Sequence, residues 1–189
     1  MVFHSHRYSV LSVVQQALEA SFPDSGQIVA SFDLPSFYLN EDYLKSRSIK
    51  RGDVEQCIIK ALMSTGYFDS AYTQAQIMDP EFNADPLLPL IRNSFFQPRS
   101  PHIIATPKPY IYISENVGGT GHGTPHEYDR HVPIVFMGAR IVAGRYSESC
   151  GPEDIAPTLV DLLGLHGFAE EHGFKKENDA RVLKEMIRQ

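Results

Sequence analysis

Apolar residues at helical spacing mark several segments of the chain. Val10, Val14 and Leu18 recur on one face of the first segment, which predicts an amphipathic helix. A second helix is predicted after Asp53 with a stop at Gly66, because a carboxylate favours a helix start and glycine favours a helix end. Further helices are predicted after residues 85 and 154 and over residues 180–188.

Short β-rich segments alternate with these helices. They cover residues 27–32, 67–73, 102–106 and 110–113, and Pro107 and Pro109 place the last two at a sheet edge or in a hairpin. The run Val132–Met137 is continuously apolar, which is typical of a central strand covered on both faces. The alternation predicts an α/β fold with a mixed, mostly parallel sheet flanked by helices.

Composition narrows the classes of protein to consider. A polypeptide of 189 residues suits one domain, or part of a larger one, and its 42% hydrophobic content is that of an ordinary globular protein. The net charge of −6 disfavours a nucleic-acid binder, which normally presents a basic face. No apolar run approaches the roughly 18 residues that a membrane span needs, and the sequence does not begin like a signal peptide.

A glycine-rich loop carries the most promising chemistry. His122 lies in Gly-Gly-Thr-Gly-His-Gly-Thr-Pro at residues 118–125, and His126 and His131 follow shortly before the apolar run. Glycines let a backbone fold closely around an ion, and neutral imidazole is a common ligand of transition metals. Loops at strand ends also carry the active sites of many α/β proteins. The alternative is a loop histidine that hydrogen-bonds a backbone carbonyl.

Two runs of sequence carry a family resemblance. The first is Gly-Thr-x-His-Gly-Thr-Pro-x-x-Tyr-Asp-x-His-Val-Pro from residue 119, and the second is Pro-Glu-Asp-Ile-Ala-Pro-Thr-Leu from residue 152. Together they resemble the end of the alkaline phosphatase superfamily. The most similar branch is the type I phosphodiesterase/nucleotide pyrophosphatase group, with its phosphate-irrepressible alkaline phosphatases. Weaker similarity extends upstream through Tyr43-Leu44 and Arg99-Ser100.

This resemblance implies a zinc-dependent hydrolase of phosphate esters with two zinc ions, one of them held by His122. Residues 1–189 would form the C-terminal part of its catalytic domain, with a cap-like lobe around residues 38–96. Asp129, His131 and Thr120 are candidates for orienting the metal ligand, since a ligating histidine usually donates its second N–H to an acceptor. Alternatively, Asp129 caps the turn and His131 packs beneath the strand. Members of this family are usually exported, which suggests a periplasmic or extracellular location.

The chain departs from the family pattern in what it lacks. The family's nucleophile, a Ser or Thr, and its Asp-x-x-x-His and Asp-His ligand pairs precede the late His-Gly element. Neither ligand pair occurs in this sequence. We therefore expect no catalytic residue in this chain, no hydrolysis by the chain alone, and a possible upstream segment or separate N-terminal partner that completes the site.

Other readings remain open. His122, His126 and His131 are a possible three-histidine metal site, although Pro125 argues against a continuous helix that would align the first two. A second alternative is that the chain forms a non-catalytic binding or scaffold module with the same fold. Within enzymes, a relative of sulfatases or of phosphoglycerate mutases is the second choice, because these share the metal chemistry of the superfamily.

Overall fold

The computed structural model describes residues 3–114, 121–171 and 180–188. The chain divides into two units, a first unit of residues 1–131 and a second unit of residues 132–189. Helices α1 and α3 of the first unit follow the predicted apolar stripes and bury them. The helices of the first unit are α1 (Arg7–Ser21), α2 (Glu41–Ser46), α3 (Arg51–Ser64), α4 (Gln74–Met78), α5 (Leu88–Asn93) and α6 (Glu127–Arg130), and a 3-10 helix covers Ser25–Gln27.

Two sets of strands form the sheets of the first unit. The strands are β1 (Phe3–His6), β2 (Val29–Asp33), β3 (Ser36–Leu39), β4 (Phe68–Thr73), β5 (Ile103–Pro107) and β6 (Ile111–Ser114). Strands β2, β3, β5 and β4 make a four-stranded sheet in that order, and β1 pairs with β6 in a second sheet.

The strand directions correct one sequence-based expectation. The α/β fold with a sheet flanked by helices is confirmed, but the described pairings are not mostly parallel. Only β1 and β6 run parallel, whereas β2–β3, β3–β5 and β4–β5 are antiparallel. Strand β3 has no signal in the sequence. It returns beside β2 after the short turn at Leu34-Pro35, which makes the two strands antiparallel.

The position of β5 was also predicted wrongly. It lies between β3 and β4 inside the four-stranded sheet, not at an edge. Proline disrupts a central strand only where its missing N–H would bond a neighbour. Pro107 is the last residue of β5 and Pro109 lies beyond it. The residues in the middle of β5 therefore keep the backbone N–H groups that can bond neighbouring strands.

Two apolar clusters lie on opposite faces of the four-stranded sheet. The larger one packs α1 and α3 against Ile103 and Ala105 of β5. The smaller one joins Tyr72 with residues of α4 and α5 and includes Ile104. Because neighbouring side chains of a strand point to opposite faces, residues 103 and 105 face one cluster and residue 104 faces the other.

The second unit has few regular elements. It comprises a 3-10 helix at Pro152–Asp154, α7 (Ile155–Leu163), α8 (His166–Glu171) and a 3-10 helix at Lys184–Met186. Gly164 ends α7 in the left-handed conformation, with φ 66°, as its sequence position predicts. Asp154 does not cap α7 with its side chain. Its carboxylate instead accepts hydrogen bonds from the N–H groups of Gly151, at 3.0 Å, and Arg181, at 2.7 Å.

Two predictions for the second unit were wrong. Residues 132–137 form no strand, and Val135 is 82% and Met137 97% exposed. An apolar run becomes a central strand only when strands pair on both sides, and no described strand pairs with it. The segment after residue 180 is not a long helix either, because the N–H of Leu183 donates to Thr158 Oγ1 at 3.0 Å and the chain bridges Ile141 through Ile187.

No helix in residues 3–114, 121–171 or 180–188 has both the length and the apolar character needed to cross a bilayer. The cap-like lobe around residues 38–96 stays a prediction. The two units meet in the sequence after residue 131, and residues 38–96 lie entirely within the first unit.

Candidate functional site

The His122 loop joins β6 to α6 in the first unit. Thr120 and the preceding glycines lie among residues 115–120, outside the described residues. Gly123 has φ 95°, a backbone conformation that only glycine adopts without strain. A Cβ atom at Gly121 would collide with the ring of Tyr112. These two glycines therefore shape the backbone on either side of His122.

His122 lies at the surface beside a cavity of about 460 Å³. The cavity is bounded by residues of β5, β6, α5 and the loop itself, with Arg130 of α6 also among its lining residues. The side chain of His122 is exposed, so its imidazole is accessible from solvent. The role of His122 as a metal ligand stays a prediction.

Asp129 acts on the loop from the following helix. Its carboxylate accepts hydrogen bonds from both the N–H of Thr124, at 2.9 Å, and the hydroxyl of Thr124, at 2.6 Å. It thereby fixes the backbone two residues beyond His122. His131 is exposed at the end of α6, where its backbone N–H donates to the backbone carbonyl of Glu127. Roles for Asp129 and His131 beside a bound metal stay predictions.

His126 is a structural anchor of the loop. It is buried, and its Nε2 lies 2.7 Å from the carbonyl oxygen of Pro107, which can only accept a hydrogen bond. The ring stacks on Tyr128 with 5.6 Å between centroids, and Tyr128 stacks on Tyr110 at 4.8 Å. Because Nε2 of His126 is engaged, this histidine offers a metal only its other nitrogen.

The described part of the loop offers a metal ion one accessible ligand, the imidazole of His122. Within the described residues there is no group of three or more His, Cys, Asp or Glu side chains placed to hold an ion. Zinc needs three or four convergent protein ligands, so a single imidazole supplies only part of a site. The chemistry of His122 is therefore compatible with zinc, but the site needs further ligands from elsewhere.

A second polar cluster in the first unit was missed by sequence reasoning. Arg51 donates to Glu55 at 2.6 Å, to Glu41 at 3.0 Å and to Gln74 at 3.1 Å. Nδ1 of His102 accepts from the N–H of Leu39 at 2.9 Å. Burial, followed by the charge of Arg51, lowers the pKa of His102 from its ordinary value of 6.5. Only the Arg51–Glu55 spacing was a signal in the sequence, since residues four apart meet on a helix.

Solved structures of known proteins share this fold. Wild-type alkaline phosphatase PafA superposes with a TM-score of 0.74 at 21% identity, covering 96% of this chain and 32% of that one. A PafA mutant with four substitutions gives a TM-score of 0.73 at 22% identity, covering 92% and 32%. These matches establish the architecture and show that the chain corresponds to about a third of the PafA fold.

Sequence comparisons agree with the structural ones. Alkaline phosphatase PafA of Elizabethkingia meningoseptica is 31% identical over 81 residues, which are 43% of this chain and 15% of that protein. Alkaline phosphatase PhoV of Synechococcus elongatus is 40% identical over 47 residues, or 25% and 8% of the two chains. A protein named calcium-transporting ATPase from Myroides odoratus is 26% identical over 158 residues, or 80% and 26%. No family model matches the sequence.

The resemblance to the alkaline phosphatase superfamily is confirmed. The chain spans about a quarter or less of the length of the curated relatives it matches.

Proposed function

We propose that this chain contributes His122 as one zinc ligand to a phosphate-ester hydrolase whose nucleophile and remaining ligands come from an upstream segment or partner. The observation that carries the proposal is the exposed imidazole of His122 beside an open cavity, on a loop shaped by glycines. The alkaline phosphatases that resemble the chain support the reaction class. Alone, the chain is expected not to hydrolyse phosphate esters, because one imidazole does not hold zinc.

The exposed apolar residues of the second unit support an upstream partner. They include Val132, Val135 and Met137 of the predicted strand, and Ile155, Leu159 and Leu163 along α7. Exposed apolar patches on a folded protein commonly mark interaction sites. We infer that the upstream part of the enzyme covers these residues.

Zinc, when bound, would polarise the phosphoryl group and stabilise the oxygen that leaves. The residues of this chain would bind the metal, position the loop and attract the substrate. His122 would donate a nitrogen lone pair to the ion, which requires the neutral imidazole. Asp129, through Thr124, would hold the backbone that carries His122. Arg130 borders the same cavity as His122 and would offer a positive charge to an anionic substrate.

A hybrid enzyme tests the proposal. The corresponding C-terminal third of PafA is replaced by this chain, and release of p-nitrophenol from p-nitrophenyl phosphate is measured with zinc and after chelation. We expect zinc-dependent turnover that falls at least about a hundredfold in His122→Ala, because a lost ligand weakens metal binding. His166→Ala, which removes an exposed histidine of the second unit, is the matched control and should leave turnover intact.

Three outcomes would contradict the proposal. The first is turnover that is unaffected by His122→Ala. The second is a folded, zinc-loaded hybrid without activity, which would favour the non-catalytic scaffold. The third is a preference for p-nitrophenyl sulfate over the phosphate, which would favour a sulfatase relative. Zinc content measured by elemental analysis separates loss of metal from loss of chemistry.

A further inference from the structure

We propose that the cavity beside His122 binds the organic leaving group of the phosphate ester and selects apolar, ring-sized groups. This inference rests on the proposed function, because it assigns a substrate class to the same site. It is carried by the lining of the cavity, by its volume and by the position of His122 and Arg130 at its border.

The lining of the cavity combines aliphatic side chains with polar residues such as Asn93, Ser94 and Thr124. Leu90 and Ile91 come from α5, Ile111 and Ile113 from β6, and Leu34 from the turn between β2 and β3. Apolar walls bind apolar ligands because association removes hydrocarbon surface of both partners from water. A small polar alcohol would gain little from these walls.

Two hydroxyl side chains of the sheet also line the cavity. Ser36 of β3 and Thr106 of β5 are among its lining residues, together with Ile104. A buried polar group needs a hydrogen-bond partner. Two hydroxyls beside aliphatic side chains therefore suit a ligand that has an apolar body and one or two polar atoms.

The volume and surroundings of the cavity suggest what it holds. At about 460 Å³, it lies in the range of roughly 300–1,000 Å³ that is usual for small organic ligands. His122 and Arg130 border the same space. In a phosphate ester the bridging oxygen joins phosphorus to the organic group, so a ring bound in the cavity would direct its phosphoryl end towards His122.

The first experiment measures ring binding to the chain itself. Isoleucine methyl groups are labelled with carbon-13, and p-nitrophenol is titrated with glycerol as the polar comparison. We expect saturable shifts at millimolar p-nitrophenol for Ile104 and Ile111, which line the cavity. Ile28 and Ile58, buried in the larger apolar cluster, should stay unchanged, and glycerol should shift none of them. Absence of saturable shifts at Ile104 and Ile111 would overturn the inference, as would equal shifts with glycerol.

Two variants and one control refine the test. Ser36→Leu places bulk in the cavity and is expected to weaken p-nitrophenol binding at least about tenfold, the effect of steric loss in an apolar pocket. Ser31→Leu adds the same bulk at an exposed position of β2 and should bind as the parent does. Leu90→Ala removes wall atoms without adding bulk and should weaken binding about fivefold, since less apolar surface is buried. Unchanged binding in Leu90→Ala and in folded Ser36→Leu would overturn the assignment.

The failures of the two proposals are distinguishable. Binding of p-nitrophenol requires neither zinc nor turnover, so it is independent of His122 as a metal ligand. Ring binding combined with an inactive, zinc-loaded hybrid would overturn the hydrolase proposal alone. An active hybrid without ring binding at the cavity would overturn the leaving-group assignment alone.

Discussion

Helix α3 of the first unit and helix α7 of the second unit both carry apolar stripes, yet the two stripes have different surroundings. Leu62 of α3 is 0% exposed, whereas Leu163 of α7 is 66% exposed. In the first unit, α1 and the four-stranded sheet supply a surface for α3. An amphipathic pattern therefore identifies the apolar face of a helix, but it does not show whether other elements cover that face.

The same contrast extends to the polar interactions of the two units. The first unit has a continuous apolar core on one face of its sheet. Among the described residues of the second unit, few apolar side chains are buried, including Leu183 and Met186. The polar side chains of Asp154 and Thr158 hold its last described segment. We therefore expect the first unit to depend on packing and the second unit to depend on hydrogen bonds.

The largest expected effect comes from one substitution made in both helices. Leu62→Ala should lower the free energy of unfolding by about 3 kcal/mol, because it removes a fully buried side chain and leaves a cavity. Leu163→Ala should change it by less than about 0.5 kcal/mol, because little packing is lost at an exposed position. Urea unfolding followed by circular dichroism measures both values. Equal effects of the two substitutions would remove the contrast between the units.

A smaller effect is expected for Asp154 in the second unit. In Asp154→Ala the N–H groups of Gly151 and Arg181 lose their acceptor, which should cost about 2 kcal/mol of local stability. Hydrogen exchange should then accelerate at the amide of Arg181, while amides of α3 keep their protection. Glu153→Ala, at the exposed neighbouring position, is the control. Protection at Arg181 that survives Asp154→Ala would show that packing alone holds the segment.

The smallest effect concerns pH and His102 of the first unit. Because burial and the charge of Arg51 lower the pKa of His102 in the folded state, the unfolded chain binds its proton at higher pH. Stability should therefore be unaffected by this group above pH 6.5 and fall as the pH drops from 6.5 towards the lowered pKa.

His102→Asn should reduce this pH dependence, because asparagine keeps an acceptor for the N–H of Leu39 but does not titrate. The measurement is urea unfolding of both proteins between pH 7 and pH 5, and the neighbouring Glu41 and Glu55, which oppose the shift, are present in both. If the variant loses stability with falling pH as steeply as the parent, His102 does not cause the dependence.

Sequence reasoning succeeded for elements whose signals are local. The helix through Val10 and Leu18, the strand Phe68–Thr73 and the helix end at Gly66 are confirmed. Such features follow from side-chain spacing and from the left-handed conformation of one glycine. The strand before the His122 loop is also confirmed as β6, whereas the central strand expected after the loop is not found among the described residues.

Features that depend on distant residues were not predicted. Strand β3 is defined by pairing with β2 and with β5, and the latter lies far along the chain. The cluster of Arg51, Gln74 and His102 assembles across three elements, so no short pattern reveals it. The strand expected at residues 132–137 failed for the related reason that an apolar run does not show whether neighbouring strands are present to pair with it.

The anchors of the His122 loop have a consequence for how the site would be assembled. His126 ties the loop to the end of β5 through Pro107, and Asp129 fixes Thr124, so both tethers act on the same side of His122. The backbone that follows His122 is therefore held at two points within four residues. A substitution that breaks either tether would change where the imidazole of His122 is presented, without altering the imidazole itself.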